Sequence, residues 1–345
     1  MKSVSNPHGL TRTLGSFRMK GYRTGNSAAV FEIELDDGGR KMLKCYTRPR
    51  PGLREIYGRR LLEKELYVYT DCSHGVWVDV VVTDWVDGIT LGEAVHRAVA
   101  QDDRTTLRRI SAAFDRMALG MLADERAHGD LKPDNIIVTP GLRLRLIDFD
   151  AAYLPSMYGR ESPELGTAAW QHPSRRKCDF NRHIDDYPIA MLSTVLHALA
   201  VEPTLFGRLD DDCQPFTSQQ ASAARCEALE RTERLFAGRC MPAEYRTAQL
   251  LRSGSYILPR LEEFLSYTAA GHSTQPPQET IPELEYRCGL WGYAAAGQFV
   301  IPPLFDSGFE FRDGTAEVTL GGIVHRISTT GRPIESGVSP DAVPQ

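Results

Sequence analysis

HGDLKPDNIIV, residues 128–138, is the stretch whose reading decides the fold of this chain. A turn-forming run of His, Asp, Lys, Pro and Asn passes directly into the apolar, β-prone triplet Ile136, Ile137 and Val138. Within it, Asp130 is placed to accept a hydroxyl proton, and Asn135, five residues on, can present its amide oxygen to a metal. Thirteen residues after Asn135 comes Asp148, at the end of LRLRLID (142–148) and inside the triplet DFD. A carboxylate there is a hard ligand suited to Mg²⁺ that bridges nucleotide phosphates. Pro140-Gly141 marks a turn between the two runs, which therefore read as a short strand pair.

Upstream, AVFEIEL (29–35), KMLKCY (41–46) and VWVDVVVTDW (76–85) alternate apolar and polar residues, as strands of one antiparallel sheet do. DDGG (36–39) joins the first two as a hairpin, and REIYGRRLLEKELYVY (54–69) interrupts the strands with helical spacing. Downstream the character changes. Ile110, Phe114, Met117 and Met121 fall on one helical face, and further helices are expected over 187–200 and 256–267. GHSTQPPQET (271–280) reads as a linker, and residues 281–345, with short runs such as GQFVIPP, AEVTL and GIVHRI, as a small all-β unit.

The composition, 345 residues with 42% hydrophobic and 25% charged, is that of an ordinary globular chain. A formal net charge of -5 gives no global basic field, so neither nucleic acid nor an anionic membrane is an expected partner. Seven scattered cysteines without a CxxC pair argue against a disulfide framework or a zinc site, and a reducing cytoplasm is the expected location. The first thirty residues hold no apolar signal region and no run nears the length of a membrane span, so neither export nor a span is expected.

Over about residues 15–270, these motifs resemble the eukaryotic-like protein kinase superfamily. The resemblance implies an α+β, two-lobed protein-kinase-like fold: a β-rich N-lobe over 1–84, a helical C-lobe over 85–270, then the linker and the all-β domain. It makes Asp130 the catalytic base, gives Lys132 the transferring γ-phosphate of ATP, and assigns Mg²⁺ to Asn135 and Asp148. KMLKCY resembles the family's VAIK strand, so that Lys44 is the cation for the α- and β-phosphates and Glu63 its helix partner, with Glu65 as the rival. VVTDWVDGITL (81–91) resembles the hinge, with Thr83 as gatekeeper and Asp84, Trp85 and Val86 offering backbone groups to adenine. GTAAWQHP (166–173) resembles the end of the activation segment, where Thr167 bonds Asp130 and Lys132. Lys132 and Thr167 together point to Ser/Thr acceptors, and Asp185 in HIDDYPIAML is the buried aspartate that steadies the catalytic loop.

Several positions depart from the family pattern. RTGNSAAV (23–30) keeps only Gly25 of the phosphate-covering GxGxxGxV loop, and Gly129 stands where HRD has its arginine, which removes the usual receiver of a loop phosphate. DFD replaces DFG, and Ser174 stands where APE has its glutamate. Arg48, Arg50, Arg54, Arg59 and Arg60 form a cationic run that reads as a solvated face, with an acidic substrate as the other reading. GLWGYAAAGQFVIPPLFDSGFEFRDGTAEV (289–318) resembles one WG β-repeat whose Trp291, Phe299, Phe305 and Phe311 serve as core, in a domain that stabilises or binds a protein partner. The expected function is therefore that of a cytoplasmic ATP- and Mg²⁺-dependent Ser/Thr protein kinase acting on a protein substrate. The alternatives are a pseudokinase or nucleotide-binding scaffold, and a small-molecule phosphotransferase.

Overall fold

The computed structural model describes residues 11–24, 28–69, 74–207, 209, 214–270 and 281–334. Gly25 and the expected linker at 271–280 lie outside the described residues. The chain is mixed α+β, with a five-stranded sheet first, helices after it, and small sheets at the C-terminus.

The first sheet contains β1 (Phe17–Thr24), β2 (Ala28–Leu35), β3 (Arg40–Tyr46), β4 (Leu61–Tyr69) and β5 (Gly75–Asp84), in the order β1-β2-β3-β5-β4 and antiparallel throughout. The DDGG hairpin joins β2 to β3, with the Gly38 N–H donating to the Leu35 carbonyl at 2.9 Å. Strand alternation then sorts β3 by face. Leu43 and Cys45 pack with Ile33, Val78 and Val80 on one side, while Lys44 and Tyr46 turn to the other, where Tyr46 packs with Val81, Leu53 and Tyr57.

The helix expected over 54–69 is corrected. Only one turn forms, α1 (Leu53–Tyr57), and it ends at Gly58, whose φ of 54° no α-helix continues. The aromatic and branched run Leu66, Tyr67 and Val68 pairs instead with Val78, Trp77 and Val76 of β5, and a bulge between Leu62 and Leu66 adjusts the register. Pairing with a strand rich in valine outweighed the helical content of Arg, Leu, Glu and Lys.

The helical part opens with β6 (Ile89–Thr90), α2 (Leu91–Ala100) and α3 (Arg104–Ala123). The Thr90 hydroxyl caps α2 and the Asp103 carboxylate caps α3, each accepting a backbone N–H. β7 (Ile136–Val138) and β8 (Leu144–Leu146) are the strand pair expected around Pro140-Gly141, and β6 pairs with β7. α4 (Asp186–Val201), α5 (Ser218–Ala221), α6 (Glu227–Gly238), α7 (Pro242–Leu250) and α8 (Leu261–Ala269) complete it. Ile110, Phe114 and Ala118 of α3 meet Ile189, Leu192 and Leu196 of α4 in one core that also takes Trp170. No helix among the described residues is long and apolar enough to cross a membrane.

A buried polar pair crosses the α3–α4 contact. His197 Nε2 lies 2.6 Å from Asp115 Oδ2, and the Ser193 hydroxyl donates to Asp115 Oδ1 at 3.0 Å. Burial works against a charged imidazole, but the Asp115 carboxylate prevails and raises the His197 pKa to about 9. Because the folded value lies above the ordinary 6.5, the stabilisation is complete below about pH 6.5 and is lost as the pH rises through about 9. Denaturant titrations across that window are expected to show stability falling with pH in the wild type, with His197→Gln removing that slope.

The C-terminal part forms two three-stranded sheets. One holds β9 (Glu283–Arg287), β10 (Leu290–Ala295) and β11 (Gln298–Phe305); the other holds β12 (Ser307–Gly308), β13 (Thr315–Leu320) and β14 (Ile323–Ser328). Of the four aromatics expected in its core, Phe305 and Phe311 are buried, whereas Trp291 and Phe299 are only partly so. This core is not closed on itself. Tyr293, Ile301 and Phe305 share one cluster with Ala243, Phe264 and Tyr267 of the preceding helices. Arg246 clamps the junction, donating from Nε to the Leu304 carbonyl and pairing with Asp306, each at 2.7 Å. Arg246→Met leaves a buried carbonyl without its donor, and is expected to lower the unfolding free energy by about 2 kcal/mol in a denaturant titration.

Candidate active site

The loop 128–135 is held mainly through its backbone. Asp185, just before α4, accepts the His128 N–H at Oδ2 and the Gly129 N–H at Oδ1, the latter at 2.9 Å. The buried carboxylate therefore sits under the loop as its sequence position suggested. His128 Nε2 lies 2.8 Å from the Ile147 carbonyl, which fastens the same loop to the strand leading into Asp148. Gly129 has a φ of 83°, and a Cβ there would stand 2.1 Å from the Ala151 carbonyl oxygen. Arginine is thus excluded by sterics as well as missing from the sequence.

The residues singled out in this loop converge. Asn135 donates its amide to the Asp130 carbonyl at 2.8 Å and to Asp130 Oδ2 at 3.2 Å, leaving the amide oxygen as the atom for a cation. The Thr167 backbone N–H reaches Asp130 Oδ1 at 2.6 Å, while the Thr167 hydroxyl accepts from Lys132 Nζ at 3.0 Å. Lys132 Nζ also stands 3.7 Å from Asp130 Oδ2. One carboxylate, one ammonium and one hydroxyl therefore face each other across 37 residues of sequence.

Asp148 joins them from the other side. Asn135 and Ile147 are linked by a backbone bond of 3.0 Å, and Asp148 follows with a φ of 63°, a left-handed backbone that costs a non-glycine residue on the order of 1 kcal/mol. The conformation aims its half-exposed carboxylate at Lys44 Nζ, 2.6 Å away. The Phe149 ring packs against His128, centroids 5.0 Å apart.

Glu63 is not the partner of Lys44, and this expectation is corrected. It lies exposed on β4, paired with Arg54 at 2.6 Å, because the helix meant to carry it is a strand. Glu65 is not the partner either. Its buried carboxylate accepts the backbone N–H groups of Arg12, Thr13 and Leu14. Burial opposes its charge, but these three donors hold its pKa below the usual carboxylate range.

Lys44 turns instead to Asp150, with Nζ 2.8 Å from Oδ2. The other Asp150 oxygen accepts the hydroxyls of Tyr46 and Tyr57, both at 2.8 Å. Burial, reinforced by the Asp150 charge, pushes both phenols up, so they stay neutral donors. Arg50 stands 3.9 Å from Asp150 and 2.7 Å from Glu164. The sequence carried a signal for this cluster in the second aspartate of DFD and in Tyr46, two residues after Lys44 on the same strand face.

The segment after Asp150 is fixed by Arg175, a buried side chain absent from the sequence reading. Its Nη1 donates to the Gly129 and Leu165 carbonyls at 3.2 Å each and to Gln171 Oε1. Burial lowers its pKa from the ordinary value, with Asp185 and Asp130 among the groups opposing that shift. Asp84 and Val86, expected at an adenine, lie between the sheet and the helical part. Asp84 pairs with Lys41 at 2.6 Å, Trp85 donates its N–H to the Arg40 carbonyl at 3.3 Å, and Val86 is half-buried.

No three-carboxylate or histidine cluster able to hold a metal alone exists among the described residues. Asp148 and Asn135 each offer an oxygen of the hard kind that Mg²⁺ prefers. Against known proteins, the chain matches no family model and none of the curated sequences. Gly129→Ala is expected to cost about 3 kcal/mol, from the left-handed backbone and the clash with Ala151, and to show as a lower melting temperature.

Proposed function

We propose that the chain transfers the γ-phosphoryl group of ATP, carried with Mg²⁺, to the hydroxyl of a serine or threonine in a protein substrate, on a two-lobed protein-kinase-like fold. The observation that carries this reading is a pair of contact sets between distant parts of the sequence, Lys44 with Asp148 and Asp130 with Lys132, Asn135 and Thr167, tied through the backbone bond from Ile147 to Asn135. Phosphoryl transfer asks little covalent chemistry of a protein, and mostly needs charge and position.

In this reading Lys44 holds the α- and β-phosphates, and Asp130 orients the acceptor hydroxyl and takes its proton. The new bond joins the acceptor oxygen to the γ-phosphorus, the bond from that phosphorus to the bridging oxygen breaks, and ADP leaves. Lys132 faces the transferred group and is kept in place by Thr167. Asn135 and Asp148 would hold Mg²⁺, which supplies charge neutralisation to the phosphates. The protein acceptor belongs to the same proposal, supported by the Lys132–Thr167 pairing.

Incubation with γ-labelled ATP, Mg²⁺ and a generic protein substrate is expected to label the substrate, with Asp130→Asn reducing the rate by about a hundredfold or more. Label no higher than that of the variant overturns the enzyme reading. A rise in melting temperature with ATP and Mg²⁺ but no label points to a nucleotide-binding scaffold, and label on small molecules alone points to a small-molecule phosphotransferase.

A further inference from the structure

Lys44 is enclosed, with its side chain 6% exposed, yet its two carboxylate partners differ in kind. The Asp148 side chain is 46% exposed, so it can be shared with an incoming ligand, whereas that of Asp150 is 6% exposed and wholly occupied by the protein. Asp150 gathers groups from one continuous stretch of chain: Lys44 and Tyr46 on β3, Arg50 just beyond it, and Tyr57 on α1. Glu63 and Glu65, the carboxylates that the kinase resemblance offered to Lys44, are engaged elsewhere.

We infer that Asp150 is the positioning residue for Lys44, and that it replaces a helix-borne glutamate by a carboxylate on the same turn as Asp148. What Lys44 holds rests on the phosphoryl-transfer reading; what holds Lys44 does not. The arrangement has a mechanical consequence. A carboxylate carried on a helix can swing towards or away from the lysine, but Asp150 is two residues from Asp148 and is bonded to both tyrosines. The cation and its anchor are therefore assembled with the fold, and no helix movement is needed to complete the site.

The test uses the full chain with Asp150→Asn, which keeps the shape and an oxygen for the phenols but removes the charge. Arg246→Met is the control for a loss of stability alone. The first readout needs no nucleotide: acetylation of the Lys44 amine by acetic anhydride, with acetate leaving, followed by mass spectrometry. Asp150→Asn is expected to speed Lys44 modification at least threefold, and Arg246→Met to leave it unchanged. The second readout is the KM for ATP, expected to rise about tenfold in Asp150→Asn while the KM for the protein acceptor stays the same.

If Asp150→Asn lowers the melting temperature without changing the Lys44 modification rate or the KM for ATP, Asp150 is a structural hub and the inference is wrong. If the wild type neither binds nor uses ATP, the phosphoryl-transfer reading falls, and the modification rate alone decides the anchor. Should Asp150→Asn not fold, the double variant Lys44→Met/Asp150→Asn decides. Its recovery shows that the unpaired ammonium was the fault, as the inference requires, and its failure shows that Asp150 serves folding independently of Lys44.

Discussion

An ammonium group withdrawn from water has to be met by charge, and Lys44 meets Asp148 across 104 residues of chain. Its own strand offers no acid within reach, since β3 reads RKMLKCY, and the sheet around it is apolar. Removing one partner of a buried ion pair typically costs about 3–5 kcal/mol, and of the two Lys44 pairs only the one with Asp150 is enclosed at both ends. The first sheet is tied to the 148–150 turn by these charges, and the cores of the sheet and of the helices are separate clusters, with Ile56 as an apolar bridge from the Tyr46–Tyr57 cluster to Tyr153 and Met157.

The helical side answers with backbone bonds. Asp185 takes two amide hydrogens of the 128–135 loop, and Arg175 gives hydrogens to carbonyls on that loop and on the segment that follows Asp150. Because these bonds go to main-chain atoms, they fix the path of the loop and leave the Asp130, Lys132 and Asn135 side chains to interact with each other. Gly129 is part of the same solution, since its left-handed backbone and close approach to Ala151 are what let the loop lie this tightly.

Much of this was legible in the sequence where local pattern and long-range role coincide. The alternation of β2, β3 and β5, the DDGG hairpin, the strand pair around Pro140-Gly141 and the α3 stripe are all local signals, and each element appears. Asp130 and Asn135 were read from their chemistry and Lys132, Thr167 and Asp185 from the kinase resemblance, and each contacts the 128–135 loop or lies on it. Residues 54–69 failed because Arg, Leu, Glu and Lys favour a helix in isolation, whereas pairing with a valine-rich strand is a tertiary gain that no window of sequence contains. Glu63 fell with that helix. Arg175 was not legible because its bonds to Gly129 and Leu165 go to backbone carbonyls, which have no sequence signature.

The ties between the first sheet and the 148–164 stretch differ in weight, and the difference says which one governs. Glu55 pairs with Arg160 at 2.8 Å, but both side chains are substantially exposed, and such pairs contribute about 0–1 kcal/mol. Arg50 with Glu164 is intermediate, a mostly enclosed guanidinium on a partly open carboxylate. Asp150 is buried and receives an ammonium and two hydroxyls, so losing it strands both hydroxyls and leaves Lys44 with the half-exposed Asp148 alone. The exposed pair is screened by salt and contributes little, whereas the enclosed Lys44–Asp150 contact is screened least, so of these ties it is the one that governs where Lys44 sits.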